Sequence, residues 1–198
     1  MSTYQQARFM KSAASQASLP PDTGVEIAFA GRSNVGKSSV LNRIAGIRKL
    51  ARTSKTPGRT QLLNFFALDD GARLVDLPGY GFARVPQAVR ERWRGMIESY
   101  LGRRESLAGL FLIMDIRHPL TAFDRQMLGW FLPSGLPVHI LLNKADKLSR
   151  GRGLATLAAV RRELPEQVSV QVFSSLKGDG VDEARAVLDE WLREVASG

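Results

Sequence analysis

The sequence predicts an α/β fold of three layers, in which helices cover both faces of a mostly parallel sheet. Apolar segments of strand length alternate with amphipathic helical segments from residue 25 to the end of the chain, a pattern typical of parallel sheets. Two early strand-like segments are separated only by the turn at residues 69–71. Such a short connection requires one antiparallel strand in this part of the sheet.

Length and composition fit one domain preceded by a short extension. The chain has 198 residues, of which 44% are hydrophobic, enough for a substantial core. We assign residues 1–24 to an N-terminal extension and residues 25–198 to a single domain. Within the extension, residues 4–17 are compatible with a helix or a loose arm, which ends at Leu19-Pro20-Pro21 because proline does not continue a helix.

The first half of the domain is predicted from short apolar runs and the turns between them. Residues 25–30 form an apolar run that enters a glycine-rich turn, and residues 38–44 have the spacing of a helix. Residues 46–60 are polar, basic and interrupted by Pro57-Gly58, so they are predicted to form a loop. A loop of this length in a domain is a candidate functional segment. The predicted strands that follow it cover residues 62–68 and 73–76.

The second half alternates helices and strands. Residues 86–101 are amphipathic, since Val89, Trp93 and Met96 recur at helical spacing. Residues 107–115 form a continuous apolar run, as expected of a strand buried on both faces. The remaining predicted strands cover residues 136–142 and 168–173, and the remaining helices cover residues 123–131, 154–164 and 181–195.

The net charge of +9 is unevenly distributed. Residues 1–60 contain ten Lys and Arg against two acidic residues, whereas residues 61–198 are nearly balanced. A local positive field suggests an anionic partner, such as phosphate, nucleic acid or a membrane surface, and a generally basic soluble surface is the alternative. The absence of cysteine excludes disulfides and thiolate metal sites and fits a cytoplasmic protein.

No membrane insertion and no histidine metal site are expected. The longest apolar run, residues 107–114, is much shorter than the ~20 residues of a membrane-spanning helix. His118 and His139 are the only histidines, and they are too isolated in sequence to form a metal site. Surface exposure or core packing is the better interpretation of both.

Residues 31–38 match the pattern G-x-x-x-x-G-K-S of a phosphate-binding loop. They follow a predicted strand and open a predicted helix, so backbone N–H groups and the helix N-terminus would face the phosphates. Lys37 would reach the terminal phosphates, and the Ser38 hydroxyl would bind Mg²⁺. The pattern predicts a nucleoside triphosphate site without specifying the base. The predicted nucleotide contacts in this loop are Gly31, Arg32, Ser33, Asn34, Val35, Gly36, Lys37 and Ser38.

A second motif, Asp76-Leu77-Pro78-Gly79, closes the predicted strand at residues 73–76. The Asp76 carboxylate could hold Mg²⁺ through water, and the Gly79 N–H could bind a γ-phosphate. A threonine hydroxyl in the preceding loop could complete the magnesium shell only when a γ-phosphate is present. We select Thr60 rather than Thr53 or Thr56, because Pro57-Gly58 turns the chain just before it and a strand begins just after.

The third motif, Asn143-Lys144-Ala145-Asp146, follows a predicted buried strand and predicts guanine as the base. The Asp146 carboxylate can accept hydrogen bonds from guanine N1–H and the 2-amino group. Adenine offers neither donor and would leave the carboxylate unpaired. The Lys144 stem can lie along the base, Asn143 can join this loop to the phosphate loop, and backbone N–H groups of the segment Ser174-Ser175-Leu176-Lys177 could support guanine O6.

With these motifs in this order, residues 25–196 resemble the TRAFAC-class GTPases with small Ras-like G domains, and more narrowly the EngB (YihA/YsxC) family of ribosome-assembly GTPases. The residues that carry the resemblance are Lys11-Ser12-Ala13, residues 31–39, residues 56–61, Asn64-Phe65-Phe66 and residues 76–81. The resemblance implies a P-loop G domain that hydrolyses GTP to GDP and phosphate, a role in assembly of the large ribosomal subunit, and a link to normal cell division and septation.

The resemblance also implies which residues form the site. Ser38 and Thr60 become the magnesium ligands. The nucleotide-contacting residues outside the phosphate loop are Gly58, Arg59, Thr60, Gln61, Leu62, Asp76, Leu77, Pro78, Gly79, Asn143, Lys144, Ala145, Asp146, Phe173, Ser174 and Ser175.

One departure from the Ras pattern predicts slow hydrolysis. Tyr80 follows Gly79 where Ras has a water-positioning glutamine, and Gln61 is no substitute because it leads into a strand. Relatives with asparagine at the position of Asn34 use potassium as a cis-acting cation, so we hypothesise that K⁺ near Asn34 accelerates hydrolysis. A simple turn role for Asn34 is the alternative. The residues expected to take part in catalysis are Lys37, Thr60, Gly79 and Asn34.

The favoured function is therefore a GTPase switch that binds ribosomal RNA or a large-subunit precursor. The basic segment 43–59 and the arginines Arg90, Arg92 and Arg94 could contact phosphates, although a solvated helix face would also explain these arginines. A nucleotide-gated scaffold for cell division or a membrane surface, with incidental hydrolysis, is the second hypothesis. A P-loop nucleoside kinase or ATPase is the third, and Asp146 argues against it. We expect a cytoplasmic monomer without a DNA partner.

Overall fold

A seven-stranded sheet forms the centre of the computed structural model, which describes residues 3–51, 62–68, 71–79 and 87–196. The strand order across the sheet is β1-β3-β4-β2-β5-β6-β7. The strands are β1 (Arg8–Ala13), β2 (Val25–Gly31), β3 (Leu63–Ala67), β4 (Ala72–Asp76), β5 (Leu107–Asp115), β6 (Val138–Asn143) and β7 (Val168–Val172). The helices are α1 (Lys37–Ala45), α2 (Gln87–Arg103), α3 (Ala122–Phe131), α4 (Arg150–Glu163) and α5 (Val181–Ala196).

The direction of the strands confirms the predicted fold class. β3 runs antiparallel to both of its neighbours, β1 and β4. The pairs β4–β2, β2–β5, β5–β6 and β6–β7 are all parallel. The short turn between the two early strands therefore produces the one antiparallel strand among those described, and the remaining strands end at a common edge.

The N-terminal segment corrects the sequence-based expectation. The sequence of residues 4–17 is compatible with a helix or a loose arm, but these residues contain strand β1, which forms an edge of the sheet. Its pairing with β3 is secured by the Ser12 hydroxyl, which donates to Asn64 Oδ1 at 2.7 Å. The strand depends on this partner 52 residues away, and local propensity does not report such pairing. The division of the chain at residue 24 stays a prediction.

The other predicted elements agree with the structure to within two residues at each end, except at the start of α4. This helix begins at Arg150 rather than at residue 154, because the Ser149 side chain caps its first turn by accepting a hydrogen bond from the Arg152 N–H. The first turn contains Gly151 and Gly153 and lacks the apolar periodicity used for the prediction. Cap chemistry therefore identifies this boundary better than periodicity does.

Two apolar clusters, one on each face of the sheet, complete the three layers. Strand β5 contributes to both: Phe111 packs with the α1 and α5 side, and Leu112 packs with the α2, α3 and α4 side. The Phe111 ring stacks on Phe29 with centroids 5.1 Å apart and also contacts Trp191 of α5. This alternation is the period of two expected of a strand buried on both faces. Within the described part of the chain, no helix is both long and apolar enough to cross a membrane.

A buried ionic cluster closes the amino ends of the parallel strands. The Glu26 side chain is fully buried and accepts hydrogen bonds from Arg73, Arg104 and the Tyr100 hydroxyl, at 2.7 to 3.0 Å. Burial, and then the neighbouring Glu26 carboxylate, raise the pKa of Tyr100 well above its usual value. Arg104 also donates to the Pro20 carbonyl at 3.0 Å, so the cluster fixes the segment that leads into β2.

Candidate nucleotide-binding site

The predicted motifs meet at the carboxyl edge of the parallel strands. The segments after β2, β4, β6 and β7 contain residues 32–36, 77–79, 144–149 and 173–180, and their strands are neighbours or near neighbours in the sheet. Ligands of open α/β sheets bind outside this edge. The structure therefore brings together phosphate-type and base-type motifs that lie more than 100 residues apart in sequence.

The turn from β2 into α1 has the backbone of a phosphate loop. Asn34 and Gly36 both have positive φ, 65° and 91°, which turns the chain sharply before the helix begins at Lys37. A Cβ at Gly36 would lie 2.6 Å from Asn143 Nδ2, and one at Gly31 would lie 2.8 Å from the Ile113 carbonyl, so glycine is required at both positions. The Arg32 Nε atom is buried without a partner among the described residues, which fits a site built for an anionic ligand.

Lys37 and Asp76 form a buried ion pair at the mouth of this loop. Their strands are adjacent, since Phe29 of β2 pairs with Asp76, and the Leu77 N–H donates to the Phe29 carbonyl at 2.9 Å. The pair places an ammonium group and a carboxylate beside the start of α1. A triphosphate would attract the first group, and a hydrated cation would attract the second.

The donor set suits magnesium better than other common metals. The Ser38 hydroxyl and the Asp76 carboxylate offer oxygen ligands, which Mg²⁺ prefers. Among the described residues, no group of three or more His, Asp or Glu could hold a metal by itself. Mg²⁺ commonly takes one or two protein ligands and completes its shell with substrate phosphates and water, so these residues fit a magnesium–nucleotide complex.

Asn143 joins the base loop to the phosphate loop. Its fully buried side chain donates from Nδ2 to the Val35 carbonyl at 2.8 Å and accepts from the Ser175 N–H at 3.0 Å. The link between Asn143 and the phosphate loop is the contact predicted from the sequence. One amide side chain therefore connects the segments after β2, β6 and β7.

Lys144 makes a second connection, which includes a residue that sequence reasoning missed. Its ammonium group donates to the Asn34 carbonyl at 2.6 Å and to Asp115 Oδ2 at 3.0 Å. Arg117 also binds Asp115 through two nitrogen atoms, at 2.7 and 2.9 Å. These bonds, led by the one from the Arg117 side chain, hold the pKa of Asp115 well below its usual range. The signal for Asp115 was a carboxylate at the end of the apolar run 107–115.

Asp146 is held as an ionised hydrogen-bond acceptor. Its Oδ1 accepts from the fully buried Ser174 hydroxyl at 2.8 Å, and this bond is the main cause of the lowered pKa of Asp146. The Ala145 N–H donates to the Phe173 carbonyl at 3.1 Å, which fixes the two loops side by side. The second carboxylate oxygen lies 3.6 Å from Lys147 Nζ, so both oxygens of Asp146 have a partner that favours its charged form.

Part of the predicted site falls outside the described residues: Gly58, Arg59, Thr60, Gln61 and Tyr80. The assignments of Thr60 to magnesium and catalysis and of Tyr80 to slow hydrolysis therefore stay predictions. Leu62 and Gly79 are half-buried at the borders of these segments, and Leu77 and Pro78 are buried.

Comparisons with known proteins give independent information on the family of this chain. Residues 26–144 match the family model described as "50S ribosome-binding GTPase". The chain is 59% identical over 201 positions to the "Probable GTP-binding protein EngB" of Azoarcus sp. (strain BH72), covering 100% of this chain and 96% of the relative. It is 53% identical to the protein of the same name from Coxiella burnetii (strain CbuG_Q212), covering 96% and 94%.

A solved structure supports the fold. The crystal structure of a probable GTP-binding protein engB superposes with a TM-score of 0.69 at 24% sequence identity, covering 86% of this chain and all of that one. At this identity the likeness concerns the fold alone. The sequence relatives and the family model carry the assignment, and together they establish that this chain belongs to the EngB family of GTP-binding proteins and is a GTPase.

Proposed function

We propose that the chain is a slow, magnesium-dependent GTPase switch that acts in assembly of the large ribosomal subunit and is needed for normal cell division. The observation that carries the proposal is the joining of the phosphate loop to the base loop through Asn143 and Lys144. The description of the matching family as ribosome-binding supports the ribosomal part. The proposal places the protein in the cytoplasm as a monomer.

At the phosphates, binding would rearrange the Lys37–Asp76 pair. Lys37 would leave Asp76 to contact the β- and γ-phosphates, and Asp76 would be freed to accept from a metal-bound water. Ser38 and Thr60 would hold Mg²⁺, whose charge would offset the charge that develops on the phosphates during transfer. The Gly79 N–H would donate to the γ-phosphate, so the order of the segment around it would depend on the nucleotide.

At the base, Asp146 would accept from guanine N1–H and the 2-amino group while Ser174 holds the carboxylate in place. The Lys144 stem would cover one face of the base, because its ammonium group is already fixed by Asn34 and Asp115. Hydrogen bonds within the protein already hold both side chains, which would lower the ordering cost of binding.

The hypothesis that K⁺ accelerates hydrolysis depends on Asn34. It can be tested against the alternative that Asn34 serves only to form the turn. Because Asn34 has φ of 65°, Asn34→Gly keeps the turn and removes only the side-chain amide. If K⁺ binds there, hydrolysis by the natural chain will be faster in potassium than in sodium buffer, and Asn34→Gly will abolish the difference. Equal rates in the two buffers would exclude the potassium hypothesis.

The ribosomal partner would meet exposed basic residues. Arg48 and Lys49 of the basic segment are exposed, and Arg92 is exposed on α2. Arg94 is less available, because it pairs with Glu98 at 2.9 Å and lies over the Trp130 ring. The side chain of Arg90 lies outside the described residues. Contacts of cations with phosphates would make the binding sensitive to salt.

Gradient sedimentation of a cell lysate tests the proposal. We expect the chain to migrate with large-subunit particles when GTP or a non-hydrolysable analogue is present, and to remain at the top of the gradient with GDP. Lys37→Met is the matched control and should stay at the top in all three conditions. Association with liposomes but not with ribosomal particles would contradict the proposal and support a membrane-surface scaffold.

A further inference from the structure

We infer that Arg43 is a positioning residue for guanine recognition: it orients the backbone at Ser175 and Leu176 so that an N–H group faces atom O6 of the base. The inference rests on the proposed guanine site. Arg43 belongs to none of the nucleotide-binding motifs. From the sequence it counted only as part of a basic segment.

The contact is a two-point clamp on the backbone after β7. Arg43 lies on α1, and its Nε donates to the Ser175 carbonyl at 2.8 Å while Nη2 donates to the Leu176 carbonyl at 2.6 Å. Two bonds from one planar guanidinium fix direction as well as distance. The clamp therefore sets the orientation of two successive peptide groups.

Peptide geometry converts this clamp into an orientation of the Leu176 N–H. In a trans peptide the carbonyl and the following N–H point in opposite directions, and the described residues contain no cis peptide. Because the Ser175 carbonyl is held toward Arg43, the Leu176 N–H points away from it.

Leu176 also provides the amide left available in this turn. The N–H groups of Ser174 and Gly178 donate to backbone carbonyls. Those of Ser175 and Lys177 donate to side chains. The Leu176 N–H has no acceptor among the described residues, so it is the donor of this turn that a carbonyl oxygen of a ligand can use.

The clamp links base recognition to the phosphate helix. α1 begins at Lys37, and Arg43 lies six positions later, about 9 Å along the helix axis. The same helix therefore presents the residues proposed for phosphate and magnesium and holds the turn proposed for O6. Selectivity at one atom of the base thus depends on a residue outside the base loop.

The affinities for three nucleotides distinguish a role of Arg43 in O6 recognition from a general structural role. GDP carries both the 2-amino group and O6. Inosine diphosphate lacks the 2-amino group, which we propose Asp146 binds. In 6-thio-GDP, sulfur replaces O6 and is a weaker hydrogen-bond acceptor. The dissociation constant of each is measured with the full chain in the presence of Mg²⁺. For Arg43→Met we expect the preference for GDP over 6-thio-GDP to fall about fivefold, the size of one hydrogen bond, and the preference over inosine diphosphate to stay unchanged.

Two further variants provide controls. Arg185 donates to the Ile44 carbonyl at 2.9 Å, at the end of the same helix, without a bond to the Ser175–Leu176 turn, so Arg185→Met should keep both preferences. Arg43→Lys keeps the charge but lacks the planar fork, and it should give an intermediate preference at O6. If thermal denaturation shows that Arg43→Met is unfolded, Arg43→Lys is used for the test instead.

The titrations test the positioning role of Arg43 and the proposed guanine site separately. An unchanged preference for GDP over 6-thio-GDP in the Arg43 variants, or an equal loss of affinity for all three nucleotides, would overturn the positioning role. If the natural chain itself did not prefer GDP over inosine diphosphate, the proposed guanine site would fail first. The two failures are therefore distinguishable in one set of titrations.

Discussion

The two ends of the parallel strands use the same kinds of side chains for different purposes. At the amino end, the Glu26 carboxylate is fully enclosed by Arg73, Arg104 and Tyr100. At the carboxyl end, carboxylates are also paired with cations, but these pairs lie at the edge of the sheet where ligands of α/β proteins bind: Asp76 with Lys37, and Asp115 with Lys144. Removing one partner of an enclosed pair is costly for folding, whereas pairs at the ligand-binding edge can exchange partners when a ligand arrives.

Removing Glu26 should have the largest effect, and it should act on stability. Glu26→Gln removes the carboxylate paired with the buried Arg73 guanidinium and one of the two carboxylates paired with Arg104, which keeps Asp22 at 3.3 Å. Breaking a buried pair costs about 3–5 kcal/mol. Denaturant unfolding measures the loss. Glu98→Gln is the control, because the exposed pair with Arg94 is worth less than about 1 kcal/mol. If both variants lost the same free energy of unfolding, the distinction between enclosed and exposed ion pairs would be wrong.

Removing Lys37 should act on binding instead. In Lys37→Met the phosphates lose a charged donor, and we expect GDP and GTP affinity to fall by about a hundredfold, corresponding to a charge-assisted hydrogen bond of about 3 kcal/mol. The free energy of unfolding without nucleotide should change less than in Glu26→Gln, because Asp76 loses a single cation partner whereas Glu26 pairs with two guanidinium groups. Calorimetric titration and denaturant unfolding of the same sample measure both quantities. Affinity within threefold of the natural chain would contradict the role assigned to Lys37.

Asp115→Asn tests whether the Asp115 carboxylate positions Lys144 for binding the base. The variant weakens the hold on Lys144, so its stem would cover the base less well, and we expect about a tenfold loss of affinity, close to one charge-assisted bond. The loss should be the same for GDP and inosine diphosphate, because covering a base face does not depend on the 2-amino group. A change in the ratio of the two would mean that Asp115 acts through Asp146 instead.

The smallest expected effect is a pH dependence from His139, which lies near the amino end of β6. Burial is the main cause that lowers its pKa, and its ring nitrogens lie 2.6 Å from the Ser169 hydroxyl and 2.8 Å from Gln171 Oε1. The unfolded chain takes up the proton near pH 6.5, before the folded chain does, so stability falls as the pH drops below that value. The slope cannot exceed about 1.4 kcal/mol per pH unit for one group.

Chemical unfolding between pH 5 and 7.5 measures this slope. A His139→Gln variant should remove the part that His139 contributes. If the slope is the same in both proteins, other groups titrate in this range and His139 does not contribute.

Periodicity predicted most of the fold, because strands such as β5 are buried on both faces and helices such as α5 carry a clear apolar stripe. It missed β1, whose pairing with β3 is non-local. Among the site residues, the sequence indicated Asn143, Lys144 and Asp146 because they form a compact motif. It gave no role to Asp115, because the partner Lys144 follows a different strand. It gave none to Arg43 either, because its partners are backbone carbonyls after β7, which carry no sequence signal.

The irregularity in β1 bears on self-association. An exposed edge strand offers unpaired backbone groups to another chain, and β1 also exposes Phe9 and Met10. The pairing register shifts between Phe9 and Lys11, so Met10 forms a bulge that interrupts a flat edge. Arg8 and Lys11 add positive charge on either side. The edge that carries these apolar side chains is therefore a poor template for pairing with a strand of another chain, which disfavours edge-to-edge aggregation.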